Sequence, residues 1–176
     1  ATDNDNRDQN GAKLWRQAGL DHLTQKVVSL KEGKNKTTVK ADILNAEGKK
    51  IGNVEFIYAL NRDGSMKVQT TEPDTSLVKS MARLGITFEM KDTYENVTYL
   101  GRGEHETYTD RNQSGKIGVY KTIPERMFHY YVVPQSTGNR TDVRWMQLTD
   151  EYGKGCWIEA NSLFQFSTVP FSDVIL

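Results

Sequence analysis

"KTTVKADILNAEGKKIGNVEFIYALNRDGSMKVQTTE", residues 36–72, decides the fold. It contains three runs, "KTTVKADILN", "GNVEFIYAL" and "SMKVQTTE", rich in β-branched residues and partly alternating between apolar and polar positions, the pattern of strands buried on one face. Between them stand "NAEGKK" and "NRDGS", whose Asn, Asp and Gly accept the left-handed backbone that tight hairpins need. Strand, hairpin, strand, hairpin, strand is an antiparallel meander.

The same signal extends in both directions. On the amino-terminal side "LTQKVVSLK" reads as a further strand. Before it, "AKLWRQAG" has the make-up of about two helical turns, anchored by Leu14 and Trp15 and terminated by Gly19. On the carboxyl side come "GITFEM", "NVTYL", "IGVYKT", "FHYYVV", "DVRWMQL", "GCWIEA" and "LFQFSTV", each short and bounded by turn-forming residues. About eleven short strands with little helix predict an all-β fold, a large antiparallel β-sandwich, in one domain spanning residues 1–176.

Composition excludes several functions. Lys and Arg number 23 and so do Asp and Glu, leaving no net charge to draw in nucleic acid or an anionic membrane. No apolar run approaches the roughly 20 residues of a spanning helix. The single cysteine, Cys156, excludes an internal disulfide and a cysteine-rich zinc cage, and reads as a small buried hydrophobe. The chain starts without methionine and stops on "PFSDVIL", so it is expected to be cut from something longer.

Chemistry is concentrated in "GRGEHETYTDRNQSGKIGVY", residues 101–120. "HETYT" opens like a zinc-protease helix, but Thr109 stands where the second histidine belongs. His22, His105 and His129 show no ligand spacing, and Gly101 and Gly103 lack the third glycine of a dinucleotide loop. No G-x-S-x-G elbow is present. Glu104, Glu106 and Asp110 lie close enough in sequence to form the carboxylate pair of a glycosidase, set roughly 5–10 Å apart. The competing and preferred reading pairs them with Arg102 and Arg111 to hold the loop in shape. "TGNRTDVRW", with Asn139, Arg140, Asp142, Arg144 and Trp145, reads either as a sugar-binding rim or as a hydrogen-bonded corner. The corner is preferred.

Taken together, "TDNDNRDQ", "LWRQAGLDHL", "YLGRGEHETYTDRNQSGKIGVYKT", "VVPQSTGNRTDVRWMQLTDEYGKG" and "FQFSTVPFSD" resemble the C-terminal domain of the large β-galactosidases of glycoside hydrolase family two. Gly101, Arg102, Gly103, Glu106, Tyr108, Asp110, Arg111, Asn139, Arg140, Asp142, Arg144 and Trp145 carry the match, as do Pro134, Gln135, Gly138 and Thr141. Glu104 and Thr107 stand where the family commonly has proline and asparagine, and Ser136 and Thr137 where it has Glu-Asn.

The resemblance implies a supersandwich fold of the kind seen in sugar mutarotases, truncated at its C-terminus. It implies that the catalytic carboxyls lie in a separate (β/α)8 barrel, with magnesium and sodium also belonging there and no cofactor in this chain. The matched residues then form a structural or interdomain motif, and Arg16, Gln17, Ala18 and Gly19 form a segment facing the sugar pocket. The partners implied are the other domains of the same bacterial enzyme, a galactoside such as lactose, and further copies in a homo-oligomer. Two rival readings stay open: a carbohydrate-binding sandwich module using Trp15, Trp145 or Trp157, and an aldose mutarotase resting on fold analogy.

Overall fold

The computed structural model describes residues 15–17, 19, 20, 22–71, 84–132 and 136–171. Among these, eight strands form two four-stranded antiparallel sheets, and helix is confined to short turns. The all-β class expected from the sequence is what the chain adopts. The chain divides into two compact units, Thr2–Ile86 and Thr87–Leu176, each holding one sheet.

The first unit is the meander β1 (Thr24–Glu32), β2 (Lys36–Leu44), β3 (Lys50–Leu60) and β4 (Met66–Thr70), in that spatial order. Register assigns its faces. Val27, Ala41 and Val54 lie side by side across three strands, and Val39, Phe56 and Thr70 across the next row, so one face is apolar, with Ala41 and Val54 buried. A bulge in β1 skips Val28, so Leu30, an odd number of residues from Val27, returns to the same face opposite Val39. The other face is charged, with Lys40 and Glu55 directly opposite and bridged at 2.8 Å, and Lys50 reaching Asp42 at 2.6 Å. Such exposed pairs stabilise by about 1 kcal/mol at most and mainly fix register.

The hairpins repeat one device. Asn45, Asn61 and Asp150 each accept from the N–H three residues on and donate their own N–H to the carbonyl four residues on, with Gly48, Gly64 or Gly153 at φ between 74° and 85°. Side chains reinforce the turn, as where Asn45 Oδ1 accepts the N–H groups of Glu47 and Lys49, or Asp150 Oδ1 those of Tyr152 and Lys154. A left-handed residue closing a type I turn is the three-residue hairpin loop that glycine makes cheap.

The second unit orders its strands β6 (Lys116–Thr122), β5 (Asn96–Gly103), β7 (Arg140–Thr149) and β8 (Gly155–Phe166). Its core is one sheet face: Val97, Tyr99, Val143, Met146 and Leu148, joined by Met127 from the short helix Pro124–Met127, and flanked by Tyr120, Cys156, Ile158, Phe164 and Phe166. Cross-strand register stacks them, with Tyr99 between Tyr120 and Met146, and Leu148 between Val97 and Cys156. Each fully buried large side chain contributes about 1.5–3 kcal/mol. Cys156 is half-buried against this cluster, and burial pushes its thiol up from its ordinary value, so it stays protonated and acts as packing.

Three sequence expectations need correction. "GITFEM" forms no strand, residues 84–90 being exposed and irregular. "FHYYVV" forms none over residues 128–132; Phe128 instead packs edge-on against Tyr130 and Phe171. "GCWIEA" and "LFQFSTV" fuse into the single twelve-residue β8. Near the amino end, helix is described over residues 15–17, closed by Gly19 at φ 72° with its N–H on the Arg16 carbonyl. Leu14, Ala18, Val133, Pro134 and Gln135 lie outside the described residues.

Candidate functional site: a clasped double loop

Two loops of the second unit meet beyond the ends of β5 and β7: residues 104–115, between β5 and β6, and residues 136–139, leading into β7. Their closest joint is Thr107, fully buried. Its N–H donates to the Asn139 carbonyl at 2.8 Å, and Asn139 Nδ2 returns a bond to the Thr107 carbonyl at 2.8 Å. Thr107 Oγ1 takes the Thr141 N–H and pairs with the Thr141 hydroxyl, both at 3.0 Å. The second loop is thus tied to the first as a strand would be, without forming one.

Four charged side chains, in two ion pairs, fasten the outside of this joint. Glu106 accepts from Arg111 Nη2 at 2.7 Å and from the Gly138 N–H at 3.0 Å. Arg111 also reaches the Tyr131 hydroxyl at 3.1 Å and lies over the Tyr108 ring, 5.3 Å from its centroid. Arg102 forms an ion pair through Nε with Asp142 and donates to the Gly115 carbonyl at 2.8 Å. Asp142 holds φ at 52°, which turns β7 between Arg140 and Val143, and its carbonyl accepts Arg144 Nη1 at 2.6 Å. Arg102 therefore takes its carboxylate from forty residues away instead of from its own loop.

Arg140 is the buried member, 3% exposed, and no carboxylate faces it in the bonds it makes. Its guanidinium donates to the Tyr99 hydroxyl at 2.9 Å and to the carbonyls of Gly138, Asn139 and Glu104 at 3.0, 3.2 and 2.9 Å. Desolvation of such a cation is costly unless its donors are matched, and these acceptors match most of them. Burial pushes the Tyr99 phenol up, against the opposing pull of Arg140. Tyr108 goes further, up to about 12: burial is the main cause, the Glu106 charge adds to it, and Arg111 opposes it. Its hydroxyl donates to the Ser136 carbonyl at 2.8 Å.

Glycine is required where strands crowd: a Cβ on Gly103 would lie 2.4 Å from the Tyr99 hydroxyl and 2.8 Å from the Tyr120 ring. His105 bonds the Ser114 hydroxyl at 2.9 Å at the exposed rim, and Asp110 is exposed at the loop tip. Sequence reasoning missed Gln165, and singled out Thr107 and Thr141 only by comparison with the family pattern, not for the bonds they make here. Gln165, on β8, links Asn139 at 2.9 Å to Thr109 at 3.1 Å. Among the described residues, no group of three or more His, Cys, Asp or Glu side chains gathers to hold a metal ion, and no helix is long and apolar enough to cross a membrane.

Trp145 is held apart from this network. It lies on the sheet face opposite the core and stacks on Trp157 of β8, with ring centroids 4.4 Å apart and planes 21° apart. Arg16, Gln17 and Gly19 belong to the first unit, where Gly19 abuts Asn45. The Trp15 indole N–H is buried there without a hydrogen-bond partner.

The chemistry of the clasp is that of a fastening: Glu106 is engaged by Arg111 and the Gly138 N–H, and Asp142 by Arg102. Comparison with known proteins places the chain. Residues 1–176 match the family described as beta galactosidase small chain. A beta-galactosidase of Priestia megaterium is 29% identical over 97% of this chain, and one of Aeromonas hydrophila is 32% identical over 90%. One of Lactobacillus delbrueckii subsp. bulgaricus is 29% identical over 97%. The chain spans about a sixth of the length of these curated relatives, 16%, 15% and 17% respectively. The chain belongs to the beta-galactosidase small-chain family.

Proposed function

We propose that this chain is a supporting, non-catalytic β-sandwich domain of a β-galactosidase, and that it has no hydrolytic activity alone. The observation that carries this reading is the family match over all 176 residues by a chain about a sixth as long as relatives named beta-galactosidase. The clasp agrees with it. Retaining hydrolysis of a terminal β-galactoside such as lactose needs two carboxyls about 5–5.5 Å apart, one as nucleophile and one as acid and then base. Glu106 and Asp142 are each committed to an arginine instead.

On this reading the reacting carboxyls, and the magnesium and sodium that the family resemblance implies, sit in another part of the polypeptide. This chain's residues supply shape, exclusion of water and contacts to neighbouring domains. The turn at Arg16, Gln17 and Gly19 is the segment offered to the sugar pocket, with Ala18 belonging to the same stretch. A chromogenic β-galactoside assay tests the division of labour: a longer polypeptide containing this segment hydrolyses the substrate and the 176-residue chain does not. Turnover by the chain alone sinks the reading.

The Trp145–Trp157 stack favours a second reading, a carbohydrate-binding module, because an exposed indole face suits the apolar face of a pyranose. Saturable quenching of the chain's tryptophan fluorescence by galactose, without turnover, is the result that selects it.

A further inference from the structure

An antiparallel sheet with one face on a core ordinarily presents polar side chains on the other. The second sheet does so only in part. Register places Val119 of β6, Leu100 of β5 and Trp145 of β7 in one row across the face opposite the core. Trp157 stacks on Trp145, and Ile117 extends the row along β6. Ile117, Val119 and Trp157 are 44%, 60% and 54% exposed. This apolar strip spans β6, β5 and β7 and reaches β8 only diagonally, through the Trp145–Trp157 stack: Glu159 ends the Trp145 row on β8, and Trp157 ends the neighbouring row of Lys121, Thr98 and Gln147. Strands apolar on both faces are what a middle layer requires.

We infer that this face, Ile117, Val119, Leu100, Trp145 and Trp157, is the surface on which the rest of a longer β-galactosidase polypeptide packs. The inference rests on the function proposed above. The occupant is argued from length: about five-sixths of each relative lies outside the region this chain matches. It is also argued from chemistry, since a sugar site is built from aromatic faces with converging polar groups, whereas three of this strip's five side chains are aliphatic and one indole, Trp157, is exposed. A protein surface of complementary apolar side chains is the partner that buries Val119 and Ile117 as well as Trp157.

The test is thiol labelling read peptide by peptide by mass spectrometry. Val119→Cys and Trp157→Cys are each placed in the 176-residue chain and in the longer polypeptide. Both sites are exposed in the chain, so neither substitution removes core packing. The expected result is rapid labelling of both cysteines in the chain and labelling slowed roughly tenfold or more in the longer polypeptide. Equal rates in the two contexts overturn the inference. So does slow labelling already in the chain alone, which means that the chain or a second copy covers the face. Protection of the chain's cysteines by added galactose overturns it too, and assigns the face to sugar. Galactoside hydrolysis is measured on the same samples: protection without hydrolysis sinks the proposed function and leaves the buried face standing, whereas hydrolysis without protection does the reverse.

Discussion

Tyr108 is a phenol whose environment favours its neutral form. Its folded value of about 12 lies above the ordinary 10, so the stability it contributes is fully present below pH 10 and is lost as pH rises through about 12. Absorbance titration near 295 nm should therefore show a tyrosinate step at the alkaline end that Tyr108→Phe removes. A titration curve unchanged by that substitution would refute the assignment. Crowding makes a second residue-scale prediction. Gly103→Ala pushes a methyl group into Tyr99 and Tyr120, both packed in the core of the sheet. We expect a loss of about 1–3 kcal/mol, seen as a lower urea midpoint with unchanged slope. A midpoint equal to that of the parent chain would show that the rings yield freely.

Among elements, the two loops depend on Glu106, whose side chain is only 14% exposed while holding both Arg111 and the Gly138 N–H. Glu106→Gln keeps an acceptor for that N–H and loses the ion pair; Glu106→Ala loses both. Hydrogen exchange at Gly138 should accelerate in the order parent, Gln variant, Ala variant, with the Ala variant destabilised by about 1–3 kcal/mol. Equal exchange in all three would mean that the Thr107–Asn139 bonds suffice.

Legibility also varied by element. β1 to β4 were readable because "NAEGK" and "NRDGS" mark their hairpins locally. "GITFEM" and "FHYYVV" have the same β-prone composition but are left without a ladder partner, and strand preference is largely a property of neighbours. No turn residue strong enough to break β8 stands at Asn161 and Ser162, so two expected strands became one. In the site, the pairing of Glu106 with Arg111 was within reach of local reasoning, being five residues apart. The pairing of Arg102 with Asp142 depends on β5 lying beside β7, which no spacing reveals.

At the scale of the molecule, every residue of the apolar core cluster comes from Val97 to Phe166, so the second unit carries its own hydrophobic centre. A fragment of residues 87–176 is expected to unfold cooperatively and to keep the near-ultraviolet dichroism of the coupled Trp145–Trp157 pair. A fragment without either property would show that its strands need the first unit in order to fold. The Arg102–Asp142 pair, the stacked indoles and the pairing of β5 with β7 belong to long-range order, whereas the family assignment came from motifs read in linear sequence. Fold and family were therefore legible early, and contacts were not.

Arg140 has one consequence for how this chain can drift in sequence. Three of its four acceptors are main-chain oxygens, which every amino acid supplies, so the side chains at positions 104, 138 and 139 are not seen by the guanidinium. Glu104 can change identity while still presenting the same oxygen. The burden of invariance falls on the donor alone, and on Tyr99 beside it. A joint of this design puts no demand of its own on the loop's side chains; what fixes them lies elsewhere, in the left-handed φ of 73° at Gly138 and in the bonds of Asn139 to Thr107 and Gln165.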